Sequence, residues 1–294
     1  MNPSPSSKSS PDSCEGVCSS CAEKEKCTDP RARQSQIDER LRQIRYKIVI
    51  ASGKGGVGKS TVTVNLAAAL RGQGYKVGIL DGDITGPDIP KLLGIEDQKL
   101  IPGPSGLEPA DADGIKAVSM ALLLQSRDSP VVWRGPMKMA ALKQFIGEVN
   151  WGELDFLLVD LPPGTSDEPI SIAQLIPGLD GAIVVTTPQE VALLDSRKAV
   201  NMFLMMNVPM LGIVENMSGL VCPHCGQRIE VFKTGGGENA ARELGVPFLG
   251  AIPLDTEIGR LGDLGKTFAN KDTAAARSFE GIVKSILAQL EGKP

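Results

Sequence analysis

The sequence lacks an excess of basic charge. Its 31 Lys and Arg are outnumbered by 35 Asp and Glu, for a formal net charge of −4. A general nucleic-acid binder needs a basic face for its phosphate contacts, so no nucleic-acid partner is expected. No run of about 18 apolar residues occurs, which argues against a transmembrane helix. The opening stretch MNPSPSSKSSPDS has no apolar segment of the secretory kind. Its Ser/Pro content reads instead as a polar tail unable to bury a core. These absences together predict a cytoplasmic chain with no membrane partner. Internal repeats are missing too. Histidine is nearly absent, with His224 alone. Cysteine, with six, is not. In a reducing cytosol those six read as metal ligands or redox groups rather than structural disulfides.

What is present is an aliphatic α/β pattern. The 294 residues suffice for one large domain and a small appendage, and apolar residues make up 41%. Residues 1–40 read as a flexible, Cys-rich segment and linker, with IDERLRQI as a short helix. Residues 41–294 read as the main domain. Continuous apolar runs at 47–52, 76–83, 155–160, 181–187, 210–215 and 247–252 have the character of buried parallel strands. Helical stretches separate most of them. This alternation predicts a doubly wound, mostly parallel sheet with helices on both faces. The stretch from about 98 to 130 is less regular and reads as loops with one or two extra strands. Near the C-terminus, Phe279, Ile282, Val283, Ile286, Leu287 and Leu290 share one helical face, as in a helix packed on the sheet.

The clearest motif is Gly53-Lys54-Gly55-Gly56-Val57-Gly58-Lys59-Ser60-Thr61, which fits G-x-x-x-x-G-K-[ST] between a strand and a helix. Its glycines let backbone N–H groups turn inward onto phosphate oxygens, at the positive end of the following helix. ATP and Mg2+ are therefore the expected ligands. Lys59 should reach the β- and γ-phosphates, Ser60 should ligate magnesium, and Thr61 should meet the α-phosphate. Lys54 is a second cation in the loop. Asp160 ends a strand in VDLPPGTSDE and is assigned to the magnesium shell. Asp83 is assigned to orienting the attacking water, and Asp81 is a structural or supporting acid. Pro162, Pro163 and Gly164 form a stiff loop that would sense the γ-phosphate.

The cysteines fall in two groups. Cys222 and Cys225 have the two-residue gap that lets two sulfurs meet one metal, with His224 as spacer. Two thiolates do not complete a four-ligand site. The remainder would come from elsewhere in the chain or from a second subunit's own pair. Cys14, Cys18, Cys21 and Cys27 could surround one centre by themselves. Zinc and an iron–sulfur cluster both accept four thiolates, and spacing does not choose between them.

The GKGGVGKST loop resembles the deviant phosphate loop of the MinD, ParA and nitrogenase-iron-protein class. That resemblance implies a homodimer in which Lys54 crosses to the partner's phosphates. Adding LDGDITGPDIPKLLG, VVWRGPMKMAALKQF, VDLPPGTSDEPIS, VENMSG and VCPHCG, in this order, the chain from about 40 to 290 is similar to the Mrp/NBP-type iron–sulfur cluster carrier ATPases. The resemblance implies a 4Fe–4S cluster shared by Cys222 and Cys225 of two copies, and apo iron–sulfur proteins as recipients. It further implies a paralogous ATPase as a candidate partner. Asn216, and Pro253 to Asp255, would lie near the adenine. The N-terminal cysteines resemble a second cluster site of the NBP-type branch, with one departure. That branch usually has a longer spacer before its C-x2-C-x5-C unit, whereas here Cys14 stands four positions before Cys18.

Other functions make different demands. A positioning ATPase of MinD/ParA type would want a cationic membrane helix or a DNA-binding surface, and would leave the cysteines unexplained. An ATP-coupled electron donor like the nitrogenase iron protein would draw its cluster ligands from separate loops rather than one CxxC. A zinc-stabilised adaptor would carry zinc alone.

Overall fold

The structure, a computed structural model, describes residues 37–292 except Ser105, Gln125, Arg127, Asp128, Pro130, Pro223 and Asn270. The expected N-terminal site at Cys14, Cys18, Cys21 and Cys27 lies outside the described residues.

The apolar runs form the strands of one eight-stranded sheet. In chain order these are β1 (Ile44–Ser52), β2 (Val77–Asp81), β5 (Ala110–Ala112), β6 (Ile115–Val118), β7 (Leu154–Asp160), β8 (Gly181–Thr186), β9 (Met210–Glu215) and β12 (Phe248–Ala251). Two short hairpins stand apart: β3 (Ile101–Gly103) with β4 (Gly106–Glu108), and β10 (Leu220–Val221) with β11 (Arg228–Ile229). Across the sheet the order is β12-β9-β8-β1-β7-β2-β6-β5, and every pairing is parallel except β5 with β6. The central strands are hydrophobic on both sides because both faces are covered. Ile48, Val49 and Ile50 of β1 and Leu157, Leu158 and Val159 of β7 are all fully buried.

The helices are α1 (Lys59–Gly72), α2 (Ile89–Leu93), α3 (Gly135–Gly147), α4 (Asp167–Leu175), α5 (Glu190–Met205), α6 (Gly236–Leu244), α7 (Thr256–Asp263) and α8 (Ala274–Glu291). They form two covering layers. Helix α1 packs against α8, and α5 against α6. Helix α8 starts at Thr273, whose hydroxyl accepts the Ala276 N–H. Of its expected apolar face, Phe279, Ile282, Val283, Ile286 and Leu290 are buried and Leu287 is half-buried.

Two parts differ from the sequence expectation. The irregular stretch holds four short strands, β3 to β6, rather than one or two. Three of them are only three residues long, too short to show an alternation. Residues 37–41 are helical as expected, yet Ile37 and Leu41 are buried in the core. A Cβ on Gly147 of α3 would crowd Ile37, so this segment is docked on the domain and not merely a linker.

Candidate nucleotide site and cysteine hairpin

The carboxyl ends of β1, β2, β7 and β9 meet at one edge, and each delivers part of a site. Strand β1 runs into the Gly53–Thr61 loop, which opens α1. Gly56 and Gly58 have φ of 80° and 81°, a left-handed conformation that glycine adopts without the Cβ penalty. Gly55 and Gly56 have open space where a side chain would stand, whereas a Cβ on Gly58 would collide with the Asn216 amide. Gly53 lies so close to the α5 backbone at Asp195 that it too excludes a side chain. The loop is thus open toward the edge of the sheet and clamped from behind. Gly58→Ala is expected to weaken nucleotide binding more than tenfold through both strain and collision, about 1.4 kcal/mol or more. Titration with a fluorescent ATP analogue measures this.

Asp160 is the hub. It is buried at the end of β7, and its carboxylate gathers three groups from α1. Lys59 Nζ lies 2.5 Å and Ser60 Oγ 2.7 Å from Oδ2, and Thr63 Oγ1 lies 2.6 Å from Oδ1. A hydroxyl and a carboxylate oxygen side by side at the start of this helix are hard oxygen donors of the type magnesium takes, so Ser60 and Asp160 fit that ion. The backbone around the hub is also tied together. Gly82 N–H donates to the Asp160 carbonyl, Leu161 N–H to the Ile50 carbonyl, and Gly164 N–H to the Ser52 carbonyl. The PPG turn is thereby anchored to the root of the phosphate loop. Beyond it, Lys138 of α3 pairs at 2.7 Å with Glu168 in the first turn of α4.

Asp81 is the neighbour of Asp160 in the β2–β7 register. It accepts the Ser119 hydroxyl at 2.8 Å and the Asp83 N–H at 3.2 Å. Burial, then the nearby Asp160 charge, pushes its carboxyl well above the usual range. Asp83 sits half-buried on the loop leaving β2. Its Oδ1 accepts Thr85 Oγ1 and the Gly86 N–H, each at 3.1 Å. Burial and the Asp83 charge raise the carboxyl of Asp88 on the same loop.

Asn216 follows β9 and is 7% exposed. Its Nδ2 donates to the Val57 carbonyl at 2.9 Å, and its N–H to the Thr186 carbonyl. Asn216 is therefore part of the phosphate-loop clamp, a contact that sequence reasoning did not anticipate. Pro253 and Asp255 line a small cavity of about 160 Å³ with Leu220, Val221 and Thr256, and Asp255 also caps α7 through the Glu257 N–H.

That cavity touches the β10–β11 hairpin, whose tip carries the two cysteines. Cys222 N–H donates to the Gln227 carbonyl and Gly226 N–H to the Cys222 carbonyl, a tight turn closed by Gly226 at φ 73°. Cys222 is half-buried and Cys225 exposed, and neither is in a disulfide. The Cys222 sulfur accepts backbone N–H bonds from Cys225 and His224 and a bond from the Cys225 side chain, which lower its pKa from the ordinary thiol value. Donors aimed at a sulfur favour the thiolate, the form that binds metal. Among the described residues no group of three or more Cys, His, Asp or Glu stands ready to hold a metal. The hairpin therefore offers two thiols, and among the described residues they belong to no group of three or more metal-binding side chains. Three aliphatic side chains on this arm, Val221, Ile229 and Val231, are 46–47% exposed.

Two groups that matter here escaped the sequence reading. Thr63 stands four residues after Lys59 and so on the same helix face. Glu215 is a carboxylate ending an apolar strand, the same signal that singled out Asp81 and Asp160.

A parallel sheet whose central strand opens a glycine loop onto a helix, with a strand-end Asp beside its Lys and Ser, defines a P-loop NTPase. The chain matches the ParA family, described as NUBPL iron-transfer P-loop NTPases, over residues 43–287, and it belongs to that family. It is 52% identical to an iron-sulfur cluster carrier protein of Methanocaldococcus jannaschii, with 95% of this chain and 98% of that protein covered. It is 51% identical to the cytosolic Fe-S cluster assembly factor CFD1 of Eremothecium gossypii over 74% of this chain and 80% of that one. Among solved structures, the nucleotide-binding protein of Archaeoglobus fulgidus in complex with ADP is similar at a TM-score of 0.72 and 42% identity, covering 79% of this chain and 91% of that one. The cell division ATPase MinD of Pyrococcus furiosus shares the fold, with a TM-score of 0.62 at 24% identity over 83% of this chain and 98% of its own. Among the described residues no helix is long and apolar enough to cross a membrane.

Proposed function

We propose that this chain is an ATP-hydrolysing carrier of a 4Fe–4S cluster, held between the Cys222 and Cys225 pairs of two copies and passed to apo iron–sulfur proteins. The observation that carries the reading is the hairpin. It sets two free thiols on a P-loop domain, outside any group of three or more metal-binding side chains among the described residues. A second copy supplies the missing pair, since a 4Fe–4S cluster takes four thiolates. The apolar trio on the same arm gives the two copies something to bury. The high identity to named cluster carriers supports the same reading.

In this mechanism the backbone N–H groups of Gly55, Gly56, Val57 and Gly58 bind the ATP phosphates, and Thr61 meets the α-phosphate. Lys59 binds the β- and γ-phosphates. Asn216 holds the loop's shape and, with Pro253 and Asp255, borders the adenine. Ser60 and Asp160 would hold magnesium, which would supply charge neutralisation on the phosphates. Asp83 orients the attacking water. The water's oxygen bonds to the γ-phosphorus as the bond to the β-phosphate oxygen breaks, giving ADP, phosphate and a proton released to solvent. Lys54 from the partner copy offsets charge on the bridging oxygen. Hydrolysis alters how the two copies meet and so gates loading or release of the cluster. We assign Cys14, Cys18, Cys21 and Cys27 to a second cluster site. A paralogous ATPase chain could stand in for one copy, and the free thiols suit a cytoplasmic setting.

The test is transfer. Cluster-loaded protein, mixed anaerobically with an apo 4Fe–4S enzyme in the presence of Mg–ATP, should restore that enzyme's activity faster than free iron and sulfide at the same concentration. Equal rates would remove the carrier reading.

A further inference from the structure

The nucleotide loop and the cysteine hairpin are both attached to the end of β9, through adjacent residues. Asn216 holds the Val57 carbonyl of the phosphate loop at 2.9 Å. Glu215, immediately before it, is completely buried. Its carboxylate accepts three donors: Ser218 Oγ at 2.6 Å and Gly235 N–H at 3.0 Å on Oε1, and Gly237 N–H at 2.6 Å on Oε2. Ser218 lies at the start of the arm that carries the cysteines, and Gly235 and Gly237 at its end. One carboxylate therefore joins both roots of the arm.

The surroundings are built for this contact. Gly235 takes φ 79°. A Cβ on Gly236 would press on Leu193 of α5 at 2.6 Å, and one on Gly237 would stand 3.0 Å from the Glu215 Cβ. The run of three glycines lets the start of α6 close over the carboxylate. Between its roots the arm meets the domain through the exposed Lys233–Glu190 pair at 3.5 Å. Its outer strands are two residues each, and its root is fixed further by Ser218 N–H to the Ile252 carbonyl and Leu254 N–H to the Gly219 carbonyl. Asn216 and Glu215 are adjacent at the end of β9, so a shift of the phosphate loop passed to Asn216 would reach both arm roots through Glu215.

We propose that Glu215 is a positioning residue that couples the nucleotide loop to the cysteine arm, so that ATP binding changes the exposure of Cys222 and Cys225. This rests on the proposed ATP-gated carrier. It requires a physical element on which both sites act, and the Glu215–Asn216 pair is that element. Glutamine in place of Glu215 keeps the size but turns one accepting oxygen into an NH2 donor. It therefore loses either the Gly237 or the Gly235 N–H bond, since the Ser218 hydroxyl can accept from the new NH2, and the root at the α6 end is loosened.

The experiment uses the full chain, reduced and free of cluster, with and without Mg–ATP. The rate of iodoacetamide alkylation at Cys222 and Cys225 is read by mass spectrometry, and ATP affinity is measured in parallel. In the unaltered protein Mg–ATP should change the alkylation rate at least about fivefold, the lower range of site–site coupling. Glu215→Gln should keep its ATP affinity and lose most of that response. A purely structural role would lower thermal stability and leave the response to ATP intact. Should Glu215→Gln fail to fold, Ser218→Ala removes a single donor and should reduce the response. A full response in either folded variant overturns the role of Glu215 while leaving the carrier reading untouched. No response in the unaltered protein overturns the gating as well.

Discussion

Lys54→Ala is expected to bind ATP nearly as well as the unaltered protein and to hydrolyse it about a thousandfold more slowly, the lower range for a cation supplied in trans to a transferring phosphoryl group. The two lysines of the loop differ in their surroundings. Lys59 is buried and 2.5 Å from Asp160 within its own chain. Lys54 is half-exposed and has no ion-pair partner among the described residues. A half-exposed lysine without a local partner is free to reach a group outside its own chain. In this account that group is the partner copy's ATP. Removing Lys54 therefore spares ground-state binding and takes away a contact made as charge develops. That pattern is a fall in kcat with KM little changed. Lys59→Ala is a less clean probe. It strips the cation from a buried carboxylate, which costs about 3–5 kcal/mol of stability, and it lowers ATP affinity at the same time. Mixing Lys54→Ala with a chain that cannot bind ATP sharpens the test. The mixed dimer should recover activity at the one intact composite site, and no recovery at any ratio would place Lys54 in cis.

Cys222→Ala and Cys225→Ala, each made in a chain whose four N-terminal cysteines are already Ser, should lose the shared cluster completely. The parent should hold about two irons per chain, half of a four-iron cluster, and each variant close to none. Nucleotide binding should be unchanged, because the hairpin meets the domain only at its roots. Single substitution suffices because two-fold symmetry removes two of the four thiolates at once. A variant that kept half the iron would mean that each chain completes its own site.

Much of this was readable from sequence because the phosphate-binding machinery is local. Gly53 to Thr61 are contiguous, and the structure has the strand before them and the helix after them that the motif calls for. Asp160 was legible as a carboxylate where an apolar run ends, and six strands as apolar runs, β12 among them because its run extends beyond its four paired residues. The strands β3 to β6 were not fully legible, since elements of three or four residues carry no periodicity. Nor was the second contact of Asn216. Val57 and Asn216 are 159 positions apart, and no pattern along the chain announces a bond of that separation. Glu215 shows the same limit. Its charge at a strand end could be seen, but its three donors come from a turn that becomes a site only when β9 and α6 pack. The CPHC spacing suggested a metal site, and that its two cysteines join no group of three or more metal-binding side chains among the described residues becomes visible only in the folded hairpin.

The most direct test is the metal content of the full chain purified without oxygen. Iron, acid-labile sulfide and zinc are assayed together, with a visible absorption spectrum taken before and after reconstitution with iron and sulfide. The account predicts iron and sulfide in equal amounts, a broad brown absorption band, and a dimer that carries them. Zinc alone, with no cluster formed on reconstitution, would contradict it and leave a nucleotide switch whose cysteines only hold a turn in place.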